Sequence, residues 1–168
     1  MKLKPMMALA TLLLAGVSGV ALAGAGAPGH HHGGEELAFG KPGDPKKPSR
    51  LVIITMLEND ADMSFAPAVV EVKQGEQIKF ALRINGALDH ELILATLEMN
   101  LEHAEEMKKN PDMEHDEPNA KRIAPKKTSE IFWQFTKAGE FDFSCLIPGH
   151  REAGMHGKVV VLAKTATN

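Results

Sequence analysis

From Leu51 onward the sequence predicts an all-β domain folded as a two-layer sandwich. Short β-branched or aromatic runs recur along the chain, Gly, Pro, Asn and Asp separate them at short intervals, and several runs alternate apolar with polar residues. LVIITM, at residues 51–56, is the first. AVVEV follows Pro67, and QIKFALRI begins after the turn signal Gln74-Gly75. HELILATL starts at His90. SEIFWQF, EFDFSC and KVVVLA complete the series. About seven strands in roughly 115 residues fit a sandwich rather than a helical domain. The phenylalanines and the single Trp133 suit its core.

One segment breaks the pattern. Residues 97–122, LEMNLEHAEEMKKNPDMEHDEPNAKR, are rich in Glu, Lys, Leu and Ala as far as Asn110. Leu97, Leu101 and Ala104 recur at helical spacing, and Pro111 marks a stop, so a helical insertion followed by an acidic loop is expected here. No internal repeat is present.

The N-terminal residues have a different character. Lys2 and Lys4 precede an apolar run from Met6 to about Val17, and Ala21-Leu22-Ala23 offers small residues at the positions that matter for cleavage. The run is shorter than the roughly 20 apolar residues a membrane span needs, and Gly16, Ser18 and Gly19 interrupt it. A signal peptide over 1–23, cleaved after Ala23, is expected, with no membrane anchor in the mature form and a periplasmic destination. No cysteine near the junction could carry a lipid. Residues 24–50, GAGAPGHHHGG to GKPGDPKKPSR, are read as a flexible His/Gly/Pro-rich leader in which Leu37-Ala38-Phe39 docks on the domain. The domain itself is placed at 51–168.

The formal charge is −3, and losing Lys2 and Lys4 makes it more negative. No basic cluster points to nucleic acid. Cys145 is the only cysteine. An unpaired cysteine in an exported chain is either a buried, inert side chain or a thiolate occupied by a metal. Its neighbours argue for the second. His150 follows five residues later and Met155 five after that, with Pro148-Gly149 shaping the turn between them. Imidazole, thiolate and thioether are soft-to-intermediate donors suited to copper, and a His₂Cys set with a weak axial Met needs one more histidine. His90, at the start of a strand in the first half, is the candidate. His156 competes with Met155 on spacing alone. A Cys–His hydrolase pair is a further possibility, but a methionine after the histidine has no part in acyl transfer.

At ALDHEL around His90 and at FDFSCLIPGHREAGMHGKVVV the chain resembles the cupredoxins, the type 1 copper proteins. The resemblance covers roughly residues 51–162. It implies a Greek-key β-sandwich with one copper held by His90, Cys145 and His150 and by Met155 axially. In the FGKPGDP leader, PDMEHDEPN and the CLIPGH loop the chain is similar to exported proteobacterial cupredoxins associated with copper tolerance. One residue departs from the common pattern. Glu91 follows His90 where Asn or Ser often stands and helps fix the Cys loop, which puts the hydrogen bonds around the site in question. A binuclear copper-A centre needs two cysteines and is excluded.

Further soft donors lie elsewhere. Met99, His103 and Met107 share one helical stripe, and Met113 and His115 follow Pro111. They are either core packing or a second, labile Cu(I) site. His30, His31 and His32 either capture copper or zinc or are simply solvated. Two functions follow: copper tolerance by binding, buffering or redox handling of copper ions, and electron transfer to an oxidase or reductase. In the second, Leu146, Ile147, Pro148, Ala153 and Gly154 would form an apolar docking rim around His150. Neither reading makes the protein an enzyme.

Overall fold

The computed structural model describes residues 36–59 and 62–165. The expected signal peptide and the His30–His32 cluster lie outside the described residues. The elements are β1 (Lys41–Pro42), β2 (Arg50–Glu58), β3 (Met63–Ala66), β4 (Val69–Lys73), β5 (Gln77–Asn85), β6 (His90–Ala95), α1 (Leu97–Lys109), β7 (Ala120–Ile123), β8 (Thr128–Gln134), β9 (Gly139–Ser144) and β10 (His156–Leu162). They form two five-stranded sheets, ordered β1-β8-β5-β2-β3 and β4-β10-β9-β6-β7. The β2–β5 and β4–β10 pairs are parallel and the others antiparallel.

Alternation sets the faces. Val70 and Val72 of β4 are buried, whereas Val69, Glu71 and Lys73 are exposed. Ile131 and Trp133 of β8 and Val159 and Val161 of β10 turn inward in the same way. β6 differs, because all six of its residues are buried. Leu92 and Leu94 join the core between the sheets, while Ile93 belongs to a separate cluster with Met107 of α1.

α1 starts where Thr96, in extended conformation, accepts the Met99 N–H at 3.2 Å through its hydroxyl. Such a cap is worth about 1 kcal/mol. Lys108 and Lys109 in the last turn complement the helix dipole, and Pro111 follows the end at Asn110. Only Asn100 and Met107 of the helix are buried. Asn100 donates to Asp142 Oδ1 at 2.7 Å and to the Ile93 carbonyl at 3.1 Å, fastening α1 to β9 and β6.

All seven expected strands form. β1, β3 and β7 were not anticipated. The insertion read as 97–122 is shorter than expected, because Ala120–Ile123 pairs with His90–Ile93 as β7. The leader read as 24–50 also ends earlier. Phe39 is fully buried and stacks on Trp133 with centroids 5.1 Å apart, and Trp133 Nε1–H donates to the Phe39 carbonyl at 2.9 Å. Leu37-Ala38-Phe39 thus docks as the sequence suggested, and the chain enters the sheet at Lys41. Gly40 permits this close approach. Its φ is +123°, and a Cβ there would run into the Gln134 carbonyl and lie 2.7 Å from Trp133 Nε1.

Phe39→Ala should lower the unfolding free energy by about 3–5 kcal/mol, the usual cost of emptying a large aromatic site. Urea unfolding followed by Trp133 fluorescence measures it, and a loss under about 1 kcal/mol would show that this segment is not part of the core.

Candidate metal centre

Strand order brings the donor residues together. β9 lies between β6 and β10, with Ser144 opposite both Ile93 and His156. The chain leaving β9 therefore carries Cys145 past the start of β6, where His90 stands. The returning strand brings Met155 back beside the cysteine, and the Cys145 N–H donates to the Met155 carbonyl at 3.1 Å. Between them the loop folds on itself. His150 N–H donates to Ile147 at 3.0 Å, and Met155 N–H donates to His150 at 3.0 Å. Met63 N–H, from β3 of the other sheet, holds the Ala153 carbonyl at 2.9 Å. Gly154 takes φ +103° at that contact.

The donor atoms of His90, Cys145 and His150 all lie within 4.8 Å of one another. Nδ1 of His90 is 3.2 Å from Nδ1 of His150, which is 3.2 Å from Cys145 Sγ. His90, Cys145 and Met155 are fully buried, and His150 is the partly exposed member. Met155 packs in the same apolar cluster as Cys145. Two converging imidazole nitrogens, a thiol and a nearby thioether make a donor set that fits copper and suits neither calcium nor magnesium.

Surrounding groups orient these donors. Glu58, at the end of β2, accepts from His90 Nε2 at 2.9 Å and from the N–H groups of Ala87 and Leu88 at 3.0 and 2.9 Å. A carboxylate only accepts, so the His90 proton sits on Nε2 and leaves Nδ1 free to bind. Burial pushes the Glu58 carboxyl up, but these backbone and imidazole hydrogen bonds outweigh it and the net shift is downward.

Glu91 takes the place the sequence left in question. Its Oε1 accepts the Leu146 N–H at 2.9 Å, and its own N–H points to Cys145 Sγ at 3.4 Å. The Cys loop is thus fixed by a carboxyl group where the resemblance led one to expect an amide or hydroxyl. Burial raises the Glu91 carboxyl to about 7, and its Oε2 has no partner.

Burial, then the nearby Glu91 carboxyl, pushes the Cys145 thiol up to about 12. Burial, then the neighbouring His90, lowers His150 and favours its neutral, ligating form.

Sequence reasoning missed a second support. Arg151, inside the ligand loop, reaches back to Asp142, with Nη1 3.0 Å from Oδ1 and Nη2 3.2 Å from Oδ2. It also contacts the Ser144 hydroxyl. Asp142 accepts from Ser144 Oγ at 2.6 Å as well as from Asn100. A charge within a ligand loop was the available signal for Arg151. Glu58 had none, lying 32 residues from His90.

Of the second group, His103 and His115 come together, with Nε2 atoms 3.2 Å apart. Met107 is fully buried and Met113 packs against its cluster, while Met99 is exposed. Burial lowers His115, and Glu117 opposes that shift. His156 is exposed at the start of β10, outside the convergent set.

The family described as copper binding proteins, plastocyanin/azurin family, matches residues 52–162. The copper-resistant cuproprotein CopI of Rubrivivax gelatinosus is 45% identical, over 79% of this chain and 84% of that one. The protein of the same name from Pseudomonas aeruginosa is 34% identical, over 74% and 82%. Among solved structures, auracyanin A, a "blue" copper protein of Chloroflexus aurantiacus, superposes with a TM-score of 0.56. It is 20% identical, over 68% of this chain and 100% of its own, a likeness of fold.

Glu91→Ala should weaken copper binding about 10–100-fold, as loss of a partner behind the ligands commonly does. Glu91→Gln, which keeps an acceptor for the Leu146 N–H, should stay within about threefold of the parent. Chelator competition measures both, and equal affinity for all three proteins would remove Glu91 from any role in shaping the loop.

Proposed function

The chain belongs to the plastocyanin/azurin family of copper-binding proteins, and on that premise we propose that it is an exported, periplasmic copper-tolerance protein. His90, Cys145 and His150 would hold one copper, with the thioether of Met155 as a further, weaker donor. The convergence of the His90, Cys145 and His150 donor atoms within 4.8 Å of one another is the observation that carries this reading. The two relatives named copper-resistant cuproproteins support the tolerance role, since each aligns with about three quarters of this chain or more. The signal peptide read over residues 1–23 supports export. No helix among the described residues is long and apolar enough to cross a membrane.

The residues divide the work. His90 is held by Glu58 with its Nδ1 lone pair inward. Cys145 would hold the ion as a thiolate, giving up its proton on binding. His150, the partly exposed donor, gives the site its contact with solvent and is the natural point of entry. Copper supplies a one-electron couple when bound, and donors fixed by two sheets and a folded loop change little between its states. The buried thiol, its pKa raised well above that of a free cysteine, is the opposite of an activated nucleophile in an open cleft. That argues against hydrolysis and for a non-enzymatic role.

Electron transfer to an oxidase or reductase is the second reading. The partial exposure of His150, beside exposed Pro148 and Gly149 and half-buried Ile147, favours it. A redox partner would dock at that rim, from which Leu146 drops out, because it is buried with Ile93 and Met107.

One equivalent of Cu(II) should produce an intense visible thiolate-to-copper band, and Cys145→Ser should abolish it. In a strain lacking the protein, the parent should restore growth on copper and Cys145→Ser should not. No band would overturn the metal centre. A band without restored growth would favour the electron carrier.

A further inference from the structure

We propose that His103 and His115 form a second site, separate from the first, that binds monovalent copper with the thioether of Met113 as a further donor. Geometry speaks first. The two Nε2 atoms are 3.2 Å apart and the rings meet edge to face with centroids 5.0 Å apart. The His90–His150 pair shows the same two values, 3.2 Å and 5.0 Å. With metal–nitrogen bonds of about 2.0–2.1 Å, a nitrogen separation of this size corresponds to an angle of about 100° at the ion, close to tetrahedral.

Counting protons points the same way. His103 Nδ1 faces Glu106 Oε2 at 3.1 Å, and His115 Nδ1 faces Glu117 Oε2 at 3.3 Å. Carboxylates only accept, so each Nδ1 carries the ring's proton. In neutral rings both Nε2 atoms are then acceptors aimed at each other, and neither brings a proton to the contact. A cation between the rings satisfies both lone pairs at once. The carboxylates behind them set the tautomers, as Glu58 does for His90.

The donors also select the ion. His115 is buried, with a side chain only 6% exposed, and its carbonyl is held by the Arg122 N–H at 2.9 Å. Among the described residues no third His, Cys, Asp or Glu donor converges with the pair. Thioethers are the remaining candidates. Met107 lies one turn beyond His103, and Met113 lies two residues before His115; both belong to a cluster with Ile93, Ala120 and Leu146. Met107 is fully enclosed, whereas Met113 is only partly buried and stands two residues from His115. A neutral set of imidazoles and thioether suits a soft, singly charged ion. The soft thioether sulfur is the donor that favours Cu(I) here.

The test uses the full-length protein with His30, His31 and His32 replaced by alanine, so that the leader imidazoles do not contribute. Cu(I) is titrated against a chromophoric Cu(I) chelator, and the thiolate-to-Cu(II) band is recorded separately. The protein should take two equivalents of Cu(I), and His103→Ala with His115→Ala should take one while keeping the visible band. Met113→Leu should weaken the second equivalent more than about tenfold. Two equivalents in the double variant, or a single equivalent in the parent, would overturn the proposal. So would a second equivalent that prefers Zn(II) to Cu(I). Loss of the visible band in the parent would instead count against the first site, so the two failures are distinct. Should the double variant not fold, Ag(I) added to Cys145→Ser as a redox-silent probe decides by NMR. Shifts of the His103 and His115 ring signals and the Met113 methyl support the site, and unmoved signals overturn it.

Discussion

Everything at the metal centre depends on the pairing of β6 with β9. Three residue pairs, Ile93 with Ser144, Leu94 with Phe143 and Ala95 with Asp142, determine which residue of the outgoing chain passes His90. A slip of one position would turn each side chain of β9 to the other face. Cys145 would then leave the space between the sheets. The register is held strongly because both faces of β6 are covered, one by the opposite sheet and the other by α1 and the residues around it. Slippage would expose apolar side chains on whichever face it moved.

Covering β6 on both sides carries a cost in polar groups. Glu91 and Asn100 are buried, and each has one oxygen without a protein partner. Their other atoms are used well. Glu91 fixes the first backbone N–H after the cysteine, and Asn100 joins a network with Asp142, Ser144 and Arg151. That network spans the ligand loop, β9 and the helix, so three elements distant in sequence share one set of hydrogen bonds. Removing a single member leaves the others buried and unpaired, which costs more than any one of the bonds contributes. The ligand loop is thereby held from inside, while Met63 holds it from the opposite sheet.

Much of this was legible in the sequence, for identifiable reasons. Period-two alternation and β-branched content marked seven strands, and the Cys-His-Met spacing marked the loop before any topology was known. β1 and β7 were hidden because the first is two residues long and the second, Ala120–Ile123, has a polar interior within an acidic surround. Glu58 was invisible because its link to His90 exists only through the parallel pairing of β2 with β5 and the turn beyond. Glu91 was seen, but as a departure. Only the folded chain shows that its longer side chain reaches the Leu146 amide. The stripe of Met99, His103 and Met107 divided on folding, with Met99 exposed and Met107 enclosed, because the helix presents only a narrow buried face.

The enclosed sulfur of Cys145 has a consequence for the protein while it waits for metal. A thiol this far from water, kept in its protonated form, is a poor target for peroxide and for disulfide exchange, both of which need the thiolate and access to it. On both counts, copies of the chain without metal would be slow to join through their cysteines or to oxidise irreversibly.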